Sequence, residues 1–187
     1  MPTSRYALVT VHRRESHGAP LGRICDGLLG LLEMNRELSI LLPVHPHPHV
    51  ADVVVARLGG HPRVVLSQPL GYAAFVGALV DAAIVLTDSG GVQEECAALG
   101  KPVLVLRSET ERVEAVAAGV AMLVGASPER IVAAASRLLN DTAAYHAMER
   151  PTDAYGDGGA AARILEAIEW ASRITPRVPR GPSANSD

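Results

Sequence analysis

Short apolar segments alternate with longer segments of helical periodicity along most of the chain. Six of the apolar segments have the length of strands, and they cover residues 6–10, 39–44, 63–67, 82–87, 102–106 and 121–125. Most of them, such as "PVLVL", are apolar throughout and do not alternate between apolar and polar residues. Continuous apolar character is typical of strands that are covered on both faces, as in a parallel sheet.

The segments between these strands carry apolar residues at the spacing of helices. Predicted helices cover about 20–35, 49–58, 71–81, 91–99, 111–118 and 127–140, with shorter pieces after residue 141 and a last helix over about 159–173. Parallel strands need crossover helices, and right-handed crossovers cover both faces of the sheet. The order therefore predicts an α/β fold, a Rossmann-like doubly wound parallel sheet. We predict one domain over residues 1–175 and a disordered tail over 176–187, which is rich in Pro and Ser.

Charge and composition exclude several classes of function. The formal net charge is -3 and Lys101 is the single lysine, so the chain lacks the basic cluster that binding to a nucleic acid requires. Cys25 and Cys96 fall within apolar helical patterns and are expected to be buried thiols. Neither a signal sequence nor an apolar stretch of membrane-spanning length is present. We expect a cytoplasmic protein that binds no membrane.

The segment "TDSGGVQEE" joins the fourth predicted strand to a helix, and ligands of such sheets bind at the carboxyl ends of the strands. Ser89, Gly90 and Gly91 lie where free backbone N–H groups and the helix dipole favour an anion such as phosphate. Glu95 follows one turn later, where its carboxylate could accept hydrogen bonds from ribose hydroxyls. The alternative is structural: Asp88 or Ser89 caps the helix and the glycines only turn the chain.

Two further strand ends carry residues with chemical potential. His12, Arg13, Arg14 and Glu15 follow the first strand, where arginine suits a diphosphate and histidine can carry a proton; a solvated salt-bridge cluster is the alternative. After the second strand, "PVHPHPHV" places three histidines at alternate positions, namely His45, His47 and His49. The intervening prolines favour a polyproline turn that separates the three side chains, and no cysteine is near, so we expect no metal site.

Two residues further along have both a structural and a functional interpretation. Arg112 stands near a predicted helix start beside Glu111 and Glu114, where it could form helical ion pairs or could face the same anion as Ser89. Phe75 is the only phenylalanine, and an aromatic residue at helical spacing is most often part of the core.

Taken in order, six motifs resemble the carboxyl-terminal half of the non-hydrolysing UDP-N-acetylglucosamine 2-epimerases. They are "HRRES", "PVHPHPHV", "PLGYAAFV", "TDSGGVQEE", "GKPVLVLRSETER" and "YGDG", and the resemblance extends from about residue 6 to residue 168. It implies the C-terminal domain of a glycosyltransferase-B fold. It also implies an enzyme that interconverts UDP-GlcNAc and UDP-ManNAc by elimination and re-addition of UDP, with no cofactor and no metal.

The resemblance assigns roles to individual residues. Ser89, Gly90 and Gly91 would contact the diphosphate, Glu95 the ribose, Arg112 a further part of UDP and the backbone at Phe75 the uracil. His12 would stand beside the reacting centre. A second, activating UDP-GlcNAc would be bound by the residues that match the family's allosteric site, namely Arg13, Glu15 and His45.

The chain departs from the family pattern in four respects. His47 replaces the usual Asn, Val113 replaces a Pro, and Asp153-Ala154 replace "NP". The fourth is that the resemblance covers only the family's carboxyl-terminal half. The family's amino-terminal domain supplies the carboxylates thought to move the C2 proton, and general acid–base catalysis needs such a group within hydrogen-bond reach of that proton. Three interpretations stay open: an epimerase fragment or a subunit completed by a separately encoded amino-terminal half, a non-catalytic UDP-sugar-binding module, or a glycosyltransferase donor domain. A homodimer is also compatible with the sequence.

Overall fold

A six-stranded parallel sheet forms the centre of the chain in the computed structural model, which describes residues 5–174. The strands are β1 (Tyr6–Thr10), β2 (Ser39–Pro43), β3 (Val64–Ser67), β4 (Ile84–Thr87), β5 (Val103–Val105) and β6 (Ala121–Leu123), in the order β3-β2-β1-β4-β5-β6. All five neighbouring pairs are parallel. The predicted doubly wound parallel sheet is confirmed.

Helices connect the strands and cover both faces of the sheet. They are α1 (Ala19–Met34), α2 (Pro48–Leu58), α3 (Tyr72–Asp81), α4 (Gly90–Leu99), α5 (Val113–Ala117), α6 (Pro128–Asn140) and α7 (Thr142–Met148). A further helix, α8 (Ala160–Ile174), comes later in the chain. A short 3-10 helix, Arg14–Ser16, follows β1. The predicted elements are present with ends shifted by at most two residues. The shift matters at α5, because its later start leaves Arg112 in the preceding loop.

Alternation along the central strand explains why both faces are apolar. Ala7 and Val9 of β1 pack into one buried cluster with α1, α2 and α6, whereas Tyr6 and Leu8 pack into the other with α3 and α4. All four side chains are buried. A strand enclosed in this way has no polar face, which accounts for the continuous apolar runs in the sequence.

The direction of chain progression reverses between β1 and β4, and such a switch point is where open α/β sheets bind ligands. Thr10 and Thr87 end these two strands in register, and their hydroxyl oxygens are 2.6 Å apart. The loops after β1 and β4 therefore start side by side. None of the described helices is long and apolar enough to cross a membrane.

The chain divides into two compact units, Met1–Tyr155 and Gly156–Asp187. Within the second unit, Asp157 accepts a hydrogen bond from the N–H of Gly159 (2.9 Å) and pairs with Arg163 (2.8 Å), near the start of α8. These contacts lower the pKa of Asp157 to about 2, chiefly through the Arg163 hydrogen bond. The single domain over 1–175 stays a prediction, and the predicted tail at 176–187 lies outside the described residues.

Candidate functional site

A fully buried carboxylate, Asp88, joins the loops at the switch point. It accepts hydrogen bonds from the backbone N–H groups of His12 (3.0 and 3.1 Å) and Arg13 (2.9 Å) and from the hydroxyl of Ser16 (2.7 Å). A buried donor that lost this partner would remain unsatisfied, because water cannot reach it. Asp88 therefore fixes the position of the "HRRES" segment relative to β4.

The same carboxylate also orients the His12 side chain. Nδ1 of His12 lies 3.4 Å from Oδ1 of Asp88, and the imidazole is 37% exposed. A carboxylate beside Nδ1 favours the tautomer that carries its proton there, which leaves Nε2 able to exchange a proton with a ligand. On its other side, the His12 ring stacks on His45, with ring centroids 5.8 Å apart.

Two arginines meet at the start of α4. If Gly90 carried a Cβ, that atom would lie 3.4 Å from Nη2 of Arg13, 3.5 Å from Nη2 of Arg112 and 3.1 Å from Oε1 of Glu111. A Cβ at Gly91, in contrast, would meet open space. The helix start thus presents backbone N–H groups and two guanidinium groups beside an accessible volume, an arrangement that attracts anions.

The capping alternative for this corner is wrong. Ser89 is the N-cap residue of α4, but its side chain makes no capping hydrogen bond. Its backbone N–H donates instead to the hydroxyl of Thr87 (2.9 Å), and the Asp88 carboxylate accepts its hydrogen bonds from the loop after β1. The side chains of Thr87 and Asp88 hold the corner in place without occupying the start of the helix.

Ion pairs connect the "HRRES" segment to the loop before α5. Glu111 pairs with Arg13 (3.3 Å) and with Arg107 (2.6 Å), and Arg107 also pairs with Glu15. A backbone hydrogen bond and the Arg107 guanidinium lower the pKa of Glu111 to about 2. The charged residues of "HRRES" therefore do form salt bridges, as the alternative interpretation proposed, although the partners belong to another loop. Nε of Arg13 is nevertheless buried without a hydrogen-bond partner in the described part of the chain.

Arg112 does not form the helical ion pairs considered from the sequence. It precedes α5 and pairs with Glu94 of α4. Its backbone oxygen accepts a hydrogen bond from the Tyr155 hydroxyl (3.3 Å), which in turn accepts one from the N–H of Ala115 (3.1 Å). The "YGDG" motif thus begins with a residue that anchors the Arg112 loop.

A second link to the same loop comes from inside α4. Gln93 is fully buried, donates to the backbone oxygen of Ser89 (3.1 Å) and accepts from the hydroxyl of Thr110 (2.8 Å). Thr110 then accepts a hydrogen bond from the backbone N–H of Arg112 (3.1 Å). The roles of Gln93, Thr110 and Arg107 in this network were not identified from the sequence, because their partners are distant in the chain or lie across a loop.

A cavity of about 430 Å³ opens beside this corner, and it is lined by His12, His45, Phe75 and Val92, among others. Phe75 packs partly against the core, as its structural interpretation required. Glu95 is half-buried on α4, and burial, followed by the nearby charge of Glu94, raises its pKa. A larger apolar cavity of about 500 Å³, between β6, α6 and α7, is lined by none of the predicted site residues.

The UDP-N-acetylglucosamine 2-epimerase family profile matches residues 1–169. The chain belongs to this family. A probable UDP-N-acetylglucosamine 2-epimerase of Ralstonia solanacearum is 49% identical over 165 residues, which are 88% of this chain and 44% of that protein. The chain therefore spans slightly less than half the length of such relatives.

Solved structures of 2-epimerases share the fold. The Neisseria meningitidis UDP-GlcNAc 2-epimerase, determined with bound UDP-GlcNAc, has a TM-score of 0.86 at 38% identity over 89% of this chain and 45% of that one. An S. aureus protein determined with UDP has a TM-score of 0.86 at 37% identity, over 92% and 47% of the two chains. The C-terminal domain of a Francisella tularensis group 1 glycosyl transferase, with a TM-score of 0.59 at 12% identity, shares the fold alone. The predicted family and the glycosyltransferase-B type of fold are confirmed.

Proposed function

We propose that this chain is the nucleotide-binding half of a UDP-GlcNAc 2-epimerase, which interconverts UDP-GlcNAc and UDP-ManNAc by elimination and re-addition of UDP. The observation that carries the proposal is the convergence of Arg13, Arg112 and the start of α4 beside the open space at Gly91. Solved relatives named for binding UDP or UDP-GlcNAc support a nucleotide sugar as the ligand.

The diphosphate would lie against Ser89, Gly90 and Gly91. The first backbone N–H groups of a helix have no partner within the helix, and the positive end of the helix dipole adds to their attraction for phosphate. A side chain at position 90 would press against the side chains of Arg13 and Glu111. Arg112 would supply a cation from the opposite loop, held there by Tyr155 and Thr110.

The nucleoside would extend from this corner along α4 and α3. Glu95 lies one turn beyond Gly91, where its carboxylate would accept hydrogen bonds from the ribose hydroxyls. The cavity that includes Phe75 would receive the uracil, with the backbone at Phe75 as its polar contact. An apolar cavity with few polar groups is typical of sites for such ring systems.

His12 would stand at the reacting centre as the group that this chain contributes to catalysis. The Asp88 carboxylate favours a proton on Nδ1 of His12, so Nε2 is the atom that would accept or donate a proton at the glycosidic oxygen of the departing or returning UDP. The groups that move the C2 proton would come from an amino-terminal half. We therefore expect the isolated chain to bind UDP without catalysing epimerisation.

The activating UDP-GlcNAc would bind at Arg13, Glu15 and His45. In the free chain Arg13 is paired with Glu111 and Glu15 with Arg107, so an incoming ligand has to replace or extend these ion pairs. Because Arg13 also faces Gly90, the activating site and the diphosphate site would share one guanidinium. This sharing supplies a direct physical link between the two ligands.

Reconstitution tests the proposal. The purified chain is mixed with the amino-terminal half of the Ralstonia solanacearum relative, and incorporation of deuterium at C2 of UDP-GlcNAc is followed in heavy water. We expect exchange only in the mixture, and His12→Ala should abolish it. Exchange by the isolated chain would contradict the assignment of the proton-transferring groups to the missing half. A mixture that remains inactive while the chain binds UDP would favour the non-catalytic module.

A further inference from the structure

Three histidines form a cluster next to the proposed nucleotide site. His17 follows the short 3-10 helix, His47 is the N-cap of α2, and His49 lies in the first turn of α2. Their ring centroids are 5.4 Å apart for His17 and His47, 6.1 Å for His17 and His49, and 5.1 Å for His47 and His49. Every ring of the cluster therefore contacts or nearly contacts both others.

These separations are close to those of imidazoles that share a metal ion. Three histidines that bind Zn²⁺ at about 2.1 Å place their ring centres roughly 5.2–5.6 Å apart, for ligand angles between tetrahedral and trigonal. Two of the three observed separations lie within about 0.2 Å of this range, and the third exceeds it by about 0.5 Å.

The donor atoms are available for such a role. Nε2 of His17 is buried and has no hydrogen-bond partner in the described part of the chain. His47 and His49 are exposed, so their side chains can turn without disturbing the core. Neutral imidazole is the form that binds metals.

We propose that His17, His47 and His49 form a binding site for a divalent cation of the Zn²⁺, Ni²⁺ and Cu²⁺ class, with water completing the coordination. Imidazole nitrogen is a ligand that these cations prefer, whereas Mg²⁺ and Ca²⁺ prefer oxygen. As the side chains stand, no three His, Cys, Asp or Glu residues among 5–174 are placed to hold a metal ion. The proposed site thus forms by rotation of the His47 and His49 side chains toward His17.

This proposal revises the sequence-based expectation of no metal site. That expectation concerned His45, His47 and His49. In the structure the His45 ring stacks on His12, and its Nδ1 accepts a hydrogen bond from the backbone N–H of His47 (3.2 Å). His17, from a different loop, takes the third place. The bound cation would connect the "HRRES" segment to the start of α2, without a part in the epimerase reaction. The proposal does not depend on UDP binding.

Metal binding by the full chain, prepared without a histidine tag, tests this site. Calorimetry with ZnCl₂ at pH 7.5 should show one saturable site per chain. His47→Asn should weaken binding at least about 10-fold, because losing even an outer-shell partner of a metal costs about 10- to 100-fold. Asparagine is a favourable N-cap residue, so this variant should keep α2 intact. The matched control is His146→Asn, which changes an exposed histidine paired with Glu149 and should leave Zn²⁺ binding unchanged.

Co²⁺ provides a second readout, since its visible absorption reports the number and geometry of its ligands. We expect a spectrum that His17→Asn and His49→Asn each remove, while Cys25 and Cys96 are buried and cannot contribute thiolates. Absence of saturable Zn²⁺ binding up to millimolar concentrations would overturn the proposal, as would binding that all three variants retain. Binding of inorganic phosphate at pH 6 that depends on these histidines, without Zn²⁺ binding at pH 7.5, would identify an anion site and also overturn it.

Discussion

Replacing Asp88 with Asn should cost a large part of the stability of the first unit. In the folded chain, this buried carboxylate accepts hydrogen bonds from His12, Arg13 and Ser16. Each bond to a charged acceptor is worth about 1.5–3 kcal/mol, against about 0.5–1.5 kcal/mol for a neutral one, so three bonds lose roughly 3 kcal/mol together. The N–H of His12 contacts both carboxylate oxygens (3.0 and 3.1 Å), and an amide NH₂ in place of one oxygen cannot accept from it, at a further cost of about 1 kcal/mol.

We therefore expect the free energy of unfolding to fall by about 3–5 kcal/mol, allowing for partial relaxation around the new amide. Urea denaturation followed by far-UV circular dichroism measures this change, and an unchanged dependence on urea would show that the variant still unfolds as one unit. The control is Asp52→Asn, the same chemical change at an exposed position on α2, which should shift stability by no more than about 0.5 kcal/mol. A loss below about 1 kcal/mol for Asp88→Asn would refute the role assigned to this carboxylate.

Three further predictions follow from the site and its surroundings. Glu95→Gln should weaken UDP binding about 5- to 150-fold by calorimetry, since the bonds lost to a charged acceptor are worth about 1–3 kcal/mol; equal discrimination against 2′-deoxy-UDP before and after the change would contradict a ribose contact. Glu111→Gln should reduce stability at pH 7 but not at pH 2. The pKa of Glu111 is about 2 in the folded chain and 4.5 in the unfolded chain, so its ionised carboxylate stabilises the fold above pH 4.5. This contribution is lost as the pH falls toward 2. The half-exposed position limits the loss to about 1 kcal/mol, and an equal effect of the substitution at both pH values would count against the ion pairs. Ser127→Ala should lower stability by about 1 kcal/mol in thermal unfolding, because the Ser127 side chain caps α6 through the N–H of Arg130 (3.3 Å); no change would mean that the cap is not formed in solution.

The fold could be predicted from the sequence because its signals are local. Ile84, Val85 and Leu86 of β4 are consecutive apolar residues, and that pattern depends only on burial on both faces of the sheet. The end of a short helix is a different case. The predicted helix over 111–118 begins two residues early because Thr110, Gln93 and Tyr155 hold the chain around Arg112 outside the helix, and two of these partners lie far away in the sequence.

The site was predictable as a set of residues but not as a network. The strand ends identified His12, Ser89 and Arg112 as candidates, because the carboxyl edge of a parallel sheet is where ligands bind. Asp88 was considered only as a helix cap, although its place at the end of a central strand beside β1 was an available signal. Its partners lie at a separation of more than 70 residues, and nothing in the local sequence around "TDSGG" specifies them.

The central claim is that UDP binds where α4 begins, and a titration followed by ¹⁵N–¹H NMR tests it most directly. UDP is added to the folded chain up to millimolar concentration. This chain would form only one wall of the binding cleft, so we expect micromolar to millimolar affinity. We predict saturable shifts of the Gly90 and Gly91 amide signals, with smaller shifts at Phe75, and a titration midpoint about 5- to 150-fold higher in the Glu95→Gln variant. Amide signals at Gly90 and Gly91 that do not move at saturating UDP would contradict the account.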